Sequence, residues 1–151
     1  MNIALNDVII ARAGFSRLVE LKIYVNGELL SIYNADGIIV STPTGSTGYS
    51  LSAGGPIIFP QTNVIVITPI CPHSLQARSL VVSGEDRIMI EIGRRRKTQK
   101  EEAMVTFDGR SAQELETGDR IEIYKAQETT QLIRLKGRSF YQVLQNKIGT
   151  A

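Results

Sequence analysis

Apolar and polar residues alternate with a period of two along most of the chain, and this alternation constrains the fold more than any other feature of the sequence. Successive side chains of a strand point to opposite faces of a sheet, so alternation indicates strands that bury one face. The first such run, residues 18–25, leads into Asn26-Gly27, a dipeptide typical of tight hairpin turns because both positions tolerate positive φ. Residues 28–33 are the predicted returning strand.

Further short strands follow at regular intervals. They are predicted over residues 38–40, 63–68, 87–92, 103–107, 120–124 and 131–135. Pro69 is expected to end the strand over 63–68, and the run 38–40, apolar on both faces, is expected to lie inside a sheet. Turn signals at residues 83–86, 108–109 and 117–119 separate the later strands. Short strands with Gly/Asp turns predict a mainly β fold, a multi-stranded antiparallel β-sandwich-like domain.

Only two helices are predicted. One is a short helix over residues 47–53, capped by Ser46 or Thr47 and ended by Gly54-Gly55. The other is a C-terminal helix over residues 139–147, with Ser139 as its N-cap and a glycine just beyond its end. Phe140 and Tyr141 are expected to lie in the core.

Composition limits the class of protein. The 151 residues suit one domain, and 42% hydrophobic with 21% charged residues is the profile of a globular chain that buries a core. We find neither an apolar run of the roughly 18 residues a membrane span needs nor a secretion signal, so we expect a cytoplasmic protein without a membrane partner. With Cys71 and His73 as the sole cysteine and histidine, neither an internal disulfide nor a structural zinc site is expected, and no metal ligands are predicted.

The formal net charge is +2, and much of the basic excess is local. Arg94, Arg95, Arg96, Lys97 and Lys100 form a basic cluster with no aromatic residue for base stacking, so no nucleic-acid partner is expected. We interpret the cluster as a solvated hairpin loop. Contact with an anionic ligand or another subunit is the alternative, and a non-enzymatic module that binds polyanions through it is the corresponding alternative function.

Residues 41–50 differ from the rest of the chain. This segment carries six Ser or Thr side chains, two glycines, a proline and a tyrosine between a strand and a helix. Small hydroxyls and backbone N–H groups at a helix start are typical of a site for phosphate or ribose. Glycines at 45 and 48 would let a ligand approach the main chain. The P-loop lysine and the G-x-S-x-G pattern are both missing, and the alternative is a turn that satisfies only its own backbone.

The stretch from Asp36 to Tyr49 resembles the signature of the NAD kinases, usually GDG followed by STPTGSTAY. Asn6-Asp7 resembles the family's Asn-Glu/Asp motif, and residues 68–75 and 107–110 resemble two later motifs in the right order. The similarity runs from Ala4 to about Gly118. Ala35 and Gly48 depart from the usual glycine and alanine, both small-for-small exchanges.

The resemblance implies an enzyme that phosphorylates the 2′-hydroxyl of the adenosine ribose of NAD with ATP and Mg²⁺, giving NADP. Its activating aspartate lies in a GGDG motif of an N-terminal α/β domain, and no GGDG occurs in this sequence. Residues 1–151 are therefore expected to be the C-terminal NAD-binding β-domain, inactive by itself, in a homo-oligomer that is a tetramer in the family. The alternatives are a domain of a related lipid or sugar kinase and a non-catalytic nucleotide-binding module.

The resemblance also assigns the site. Asn6 and Asp7 would contact the adenine edge and ribose hydroxyls, whereas the residues alone favour a helix cap or turn there. Thr47 and Tyr49 would form the adenine pocket, and Asp36, otherwise a plain Asp-Gly turn residue, would contact the nicotinamide-side ribose or carboxamide, including that of a neighbouring subunit's ligand. The other residues expected to line this cleft are Ser41, Thr44, Ser46 and Gly48. Cys71, His73 and Asp108 are expected to contact a nucleotide or a subunit interface, although Asp108 suits a turn equally well.

Overall fold

The computed structural model describes residues 1–14, 18–94, 101–135 and 137–149. Within these ranges the chain forms ten strands, two α-helices and one 3-10 turn. The strands are β1 Asp7–Arg12, β2 Val19–Val25, β3 Glu28–Ala35, β4 Gly37–Ser41, β5 Val64–Ile70, β6 Leu80–Ser83, β7 Ile88–Ile92, β8 Glu102–Phe107, β9 Arg110–Glu116 and β10 Arg120–Ile123. The helices are α1 Tyr49–Ser52 and α2 Phe140–Ile148, and the 3-10 turn spans Thr44–Thr47.

The strands form two antiparallel sheets that share one core. The larger sheet has the order β6-β5-β4-β1-β8-β9, and the smaller one has the order β10-β7-β2-β3. Ile10 and Ile38 of the larger sheet and Leu21 and Ile90 of the smaller one are fully buried in the same cluster. The predicted mainly β, antiparallel fold with few helices is therefore confirmed.

Seven of the predicted strands are confirmed with bounds that differ by no more than two residues at either end: those over 18–25, 28–33, 38–40, 63–68, 87–92, 103–107 and 120–124. The strand predicted to be internal is β4, which lies between β5 and β1 and whose five residues are all buried. Apolar character on both faces therefore identified a strand covered on both sides.

The prediction that Pro69 ends its strand is wrong, because β5 continues to Ile70 with Pro69 opposite Ile38. Ile70 accepts a hydrogen bond from the Asp36 N–H, so its backbone groups face β4. Neighbouring residues of a strand point their backbone groups to opposite sides, so Pro69, which has no N–H, faces the β6 side. Pairing with β6 ends at Ile67, so this proline interrupts no ladder.

Alternation alone missed three strands and predicted one that does not form. β1, β6 and β9 were not predicted, and β9 is an edge strand whose polar sequence RSAQELE shows no apolar face. Residues 131–135 were predicted to form a strand, but they adopt no regular structure and Leu132, Ile133 and Leu135 are 65%, 85% and 93% exposed. A strand needs a neighbouring edge to pair with, which the local pattern does not reveal.

The helix predicted over 47–53 forms in two pieces with a different cap. The chain makes the 3-10 turn, then Gly48 leaves the helical conformation with φ −94° and ψ −132°, and α1 starts after it. Capping by Ser46 or Thr47 is therefore wrong, since neither helix has a side-chain cap. Gly54, with φ +93°, ends the segment, in the left-handed region that favours glycine.

The C-terminal helix is confirmed together with its cap. Ser139 and Gln142 form a reciprocal capping box, and Gly149 follows the helix with φ 63°. The expectation that Phe140 and Tyr141 lie in the core is wrong, because no residue of α2 is buried and Tyr141 is 68% exposed. Both rings contact Phe59 instead, with ring centroids 5.2 and 5.8 Å away.

Replacing Ser139 by Ala should loosen α2 by about 1 kcal/mol and leave global unfolding almost unchanged, because the cap is lost but no buried contact is. Amide hydrogen exchange over residues 140–148 measures the first effect, and a thermal melt measures the second. Ser139→Asp is the matched control because it keeps an N-cap acceptor. Unchanged exchange in Ser139→Ala would contradict the role of the cap.

The basic cluster lies between β7 and β8. Arg94 is exposed, and Arg95, Arg96, Lys97 and Lys100 lie outside the described residues, so the solvated loop stays a prediction. In the described part of the chain, no helix combines the length and apolar character that crossing a membrane requires.

Candidate functional site

Two chain segments meet at one end of the central strand pair. Asp7 pairs with Ser41 in the antiparallel ladder of β1 and β4, so the residues before β1 lie beside those after β4. The Thr42 N–H donates to the Asn6 carbonyl at 2.9 Å, and its hydroxyl donates to the Leu5 carbonyl at 2.7 Å. The same hydroxyl accepts the Gly45 N–H at 3.1 Å. Thr42 therefore joins the Asn-Asp motif to the hydroxyl-rich loop.

Gly45 is required by close backbone approach. A Cβ added there would lie 2.1 Å from the Asn6 carbonyl oxygen and 2.6 Å from the Asn6 carbonyl carbon. Contacts this short force the backbone to move, so only glycine fits while the loop keeps its place. The sequence predicted that a ligand approaches the main chain at this glycine, and in the structure the Asn6 main chain lies against it.

The carboxylate of Asp108 reaches the same segment from the turn between β8 and β9. It accepts the N–H groups of Leu5 at 2.7 Å, Asn6 at 2.7 Å and Asp7 at 3.1 Å. Burial by itself would raise the pKa of Asp108, but these three donors, with Arg110 nearby, outweigh it and lower the pKa below the ordinary value. Asp108 is therefore ionised at neutral pH and holds the Leu5–Asp7 backbone.

Asp7 has the opposite electrostatic environment. It is buried, with 8% of its surface exposed, and burial raises its pKa, with a further rise from the negative charge of Asp108. Two carboxylates thus share one corner of the molecule with pKa values displaced in opposite directions. The ionised form of Asp7 costs stability whereas that of Asp108 contributes it, and carboxylates with displaced pKa values are typical of functional sites.

The hydroxyls of the loop fall into two groups. Ser41 donates to the Thr42 carbonyl at 2.7 Å, and Ser46, fully buried, donates to the Pro43 carbonyl at 2.7 Å and accepts the Ile58 N–H at 3.0 Å. These two side chains hold the loop. The hydroxyls of the second group belong to the half-buried Thr44 and Thr47 and the exposed Tyr49. Together with the exposed Gly48, these residues have surface to offer a ligand.

The other predicted residues lie at the far end of the same strand pair. Asp36 follows β3 and forms an ion pair with Arg12, Nε to Oδ1 3.2 Å, next to the pair Ala11 and Gly37. Cys71 is exposed with φ +45°, and the N–H of the exposed His73 donates to the Asn34 carbonyl at 2.9 Å. Four residues of strand, about 14 Å, separate this group from Asp7. Within one chain, the structure does not bring the two groups together.

Sequence reasoning passed over some residues that shape the site. Thr42 lies inside the recognised motif, yet its contact with Leu5 and Asn6 depends on the unpredicted strand β1. Beneath the loop, the buried Ser50 and Thr68 hydroxyls lie 3.1 Å apart, and Ser79 donates to Thr68 at 3.2 Å. No local signal pairs these three residues, which are distant in sequence.

Comparison with known proteins gives a consistent result. The family model described as the ATP-NAD kinase C-terminal domain matches residues 5–135. The NAD kinase of Lachnoclostridium phytofermentans is 55% identical over 146 residues, which are 97% of this chain and 51% of that protein. The NAD kinase of Agathobacter rectalis is 50% identical over 147 residues, covering 97% of this chain and 52% of that protein. The chain thus spans about half the length of these relatives.

Solved structures agree with the sequence relatives. A yeast NADH kinase complexed with NADH superposes with a TM-score of 0.73 at 40% identity, covering 80% of this chain and 34% of that one. An NAD kinase from Archaeoglobus fulgidus in complex with ATP gives a TM-score of 0.72 at 30% identity, covering 82% and 46%. The shared motifs, fold and family match together show that this chain belongs to the NAD kinase family, in the region of its C-terminal domain.

Proposed function

We propose that this chain is the NAD-binding half of an NAD kinase, an enzyme that transfers the γ-phosphoryl group of ATP to the 2′-hydroxyl of the adenosine ribose of NAD. The observation that carries the proposal is the junction of Leu5–Asp7 with the hydroxyl-rich loop through Thr42 and Gly45. It places the exposed Asn6 beside a loop whose exposed members include Tyr49. Relatives named NAD kinase, and neighbours solved with NADH or ATP, support the same ligands.

The residue types suit the parts of the dinucleotide. The Asn6 amide carries both donors and an acceptor, which matches an adenine edge, and the Asp7 carboxylate matches ribose hydroxyls. Tyr49 offers an aromatic face and Thr44 and Thr47 offer hydroxyls, with Gly48 leaving room between them. Ser41 and Ser46 support this cleft by fixing the loop.

Asp36 and its neighbours would serve a different ligand molecule. Because this group lies at the far end of the strand pair, we assign Asp36 to the nicotinamide side of the dinucleotide held by another subunit. Cys71 and His73 would then line the contact between subunits. This arrangement requires a homo-oligomer, and a tetramer in the cytoplasm is the assembly that we propose.

Phosphoryl transfer demands mainly positioning of donor and acceptor and neutralisation of charge. In the proposed division of labour, this half fixes the acceptor hydroxyl, and the half with the GGDG motif handles ATP. Among the described residues, no group of three or more His, Cys, Asp or Glu side chains is arranged to hold a metal ion. We assign Mg²⁺, like ATP, mainly to the half with the GGDG motif.

Mixing the chain with NAD, ATP and Mg²⁺ should yield no NADP, because the activating aspartate is not in this sequence. The full-length kinase of Lachnoclostridium phytofermentans under the same conditions is the positive control. Turnover by the chain alone would contradict the proposed division of labour. A thermal-shift assay separates the proposal from a lipid or sugar kinase domain: NAD should raise the melting temperature, and diacylglycerol or sugars should not.

A further inference from the structure

The backbone of Leu5–Asp7 is hydrogen-bonded on two sides by residues that are distant from it in sequence. On one side Thr42 donates hydrogen bonds to the carbonyls of Leu5 and Asn6. On the other side the Asp108 carboxylate accepts hydrogen bonds from three consecutive N–H groups, and the Asp108 N–H donates to the Asp7 carbonyl at 3.0 Å. The main chain is thereby immobilised while the side chain of Asn6 stays exposed.

We propose that Asp108 is a positioning residue for NAD, which fixes through the backbone of Leu5–Asp7 the two side chains that meet the dinucleotide. The inference rests on the proposed function of Asn6 and Asp7. It assigns to Asp108 no contact with NAD itself, and it differs from a turn role, because the turn needs only the backbone of this residue.

The chemistry of the contact requires a carboxylate. Oδ2 accepts the Leu5 N–H, while Oδ1 accepts those of Asn6 and Asp7. An ionised carboxylate presents acceptors on both oxygens, whereas an amide replaces one of them by a donor. Asp108→Asn therefore keeps at most the contacts of one oxygen and sets its NH₂ group against an N–H of the segment. Bonds to a charged acceptor are also the stronger ones.

The turn role can be separated from the positioning role. Asp108 and Gly109 have φ of 49° and 71° in the two-residue connection between Phe107 and Arg110. Asn and Gly both tolerate positive φ, so Asp108→Asn and Asp108→Gly keep the hairpin while they remove the carboxylate. If Asp108 served only the turn, both variants would bind NAD like the parent chain.

The charge of Asp108 gives a second readout. Burial and the negative charge of Asp108 both raise the pKa of Asp7. The positive charge of Arg110 contributes to the lowered pKa of Asp108. Removing the Asp108 charge should lower the pKa of Asp7 toward its ordinary value. The acidic limb of NAD binding against pH, where Asp7 becomes protonated, should then move to lower pH.

The test is calorimetric titration of NAD into the parent chain, Asp108→Asn, Asp108→Gly and Asp86→Asn. Asp86 is the matched control, because its carboxylate also accepts a turn N–H, that of Ser83 at 2.9 Å, in a different turn. We expect Kd to rise about tenfold for Asp108→Asn, further for Asp108→Gly, and not for Asp86→Asn. Parent-like Kd and pH profiles in both Asp108 variants would overturn the inference, whereas a folded parent chain that does not bind NAD would contradict the proposed function instead.

Amide exchange measured by NMR without NAD tests the backbone contact directly. Exchange at Leu5 and Asn6 should be faster in both Asp108 variants, and exchange at the buried Ile38 and Ile90 should be unchanged, which also verifies the fold. Equal protection of Leu5 and Asn6 in parent and variants would overturn the positioning role whatever the affinity for NAD.

Discussion

Gly45→Ala should destabilise the chain by about 3 kcal/mol and weaken NAD binding about 100-fold. The added methyl group would lie 2.1 Å from the Asn6 carbonyl oxygen, a backbone atom held by Thr42. Relief requires the loop and the Asn-Asp segment to separate, which dismantles the candidate site. Urea unfolding and calorimetric titration with NAD measure the two effects.

Gly48→Ala is the matched control in the same loop. Its nearest contact would be the Gly45 carbonyl oxygen at 3.3 Å, and the φ of −94° at Gly48 lies outside the left-handed region that favours glycine. The NAD kinase signature that this loop resembles usually has alanine here. Stability should stay within about 0.5 kcal/mol of the parent chain. Equal tolerance of alanine at both glycines would show that the approach of Gly45 to Asn6 does not govern the site.

Asp7→Asn should stabilise the chain and weaken NAD binding. The pKa of Asp7 is raised by burial and by Asp108, so its ionised form costs stability above that pKa. The amide removes this cost, and we expect a gain of about 1 kcal/mol at neutral pH, or roughly 3 °C in Tm. Loss of the carboxylate that would meet the ribose hydroxyls should raise Kd for NAD at least about tenfold.

The stability difference between Asp7→Asn and the parent chain should depend on pH. As the pH falls through the raised pKa of Asp7 toward 3.8, the parent chain takes up the proton and the stability difference between parent and variant should close. Asp108, whose pKa is lowered, keeps its stabilising charge until the pH falls below 3.8. Asp36→Asn, which breaks a partly exposed ion pair, is the control and should lose no more than about 1 kcal/mol. A destabilised Asp7→Asn chain would contradict the assigned electrostatics.

The parts of the fold that the sequence predicted are those whose signals are local. Asn26-Gly27 predicts the β2–β3 hairpin because positive φ at both residues is a property of the residues themselves, and the structure has φ of 51° and 85° there. The Ser139–Gln142 capping box lies within four consecutive residues for the same reason. In contrast, β9 is a strand only because β8 lies beside it, and residues 131–135 pair with no strand in the part of the chain that the structure describes.

In the candidate site, too, only the features with a local signal could be predicted from the sequence. Its residues could be identified from motif resemblance, but their geometry depends on β1 pairing with β4 and on a turn about 100 residues away in sequence. Ser46 illustrates the difference: a helix cap in local terms, it is instead buried and bonded to Ile58. The separation of Asp36 from Asp7 likewise follows from strand register, which no motif encodes.

Titration of NAD into the nitrogen-15-labelled chain, followed by its amide signals, shows whether NAD binds where Asn6 and Asp7 meet the hydroxyl-rich loop. We expect saturable shifts at Asn6, Asp7 and residues 44–49, with the signals of the remote turn residues Asn26 and Asp86 unmoved. A folded chain that shows no saturable shifts, or shifts confined to surfaces away from Asn6 and the loop, would contradict this placement of NAD.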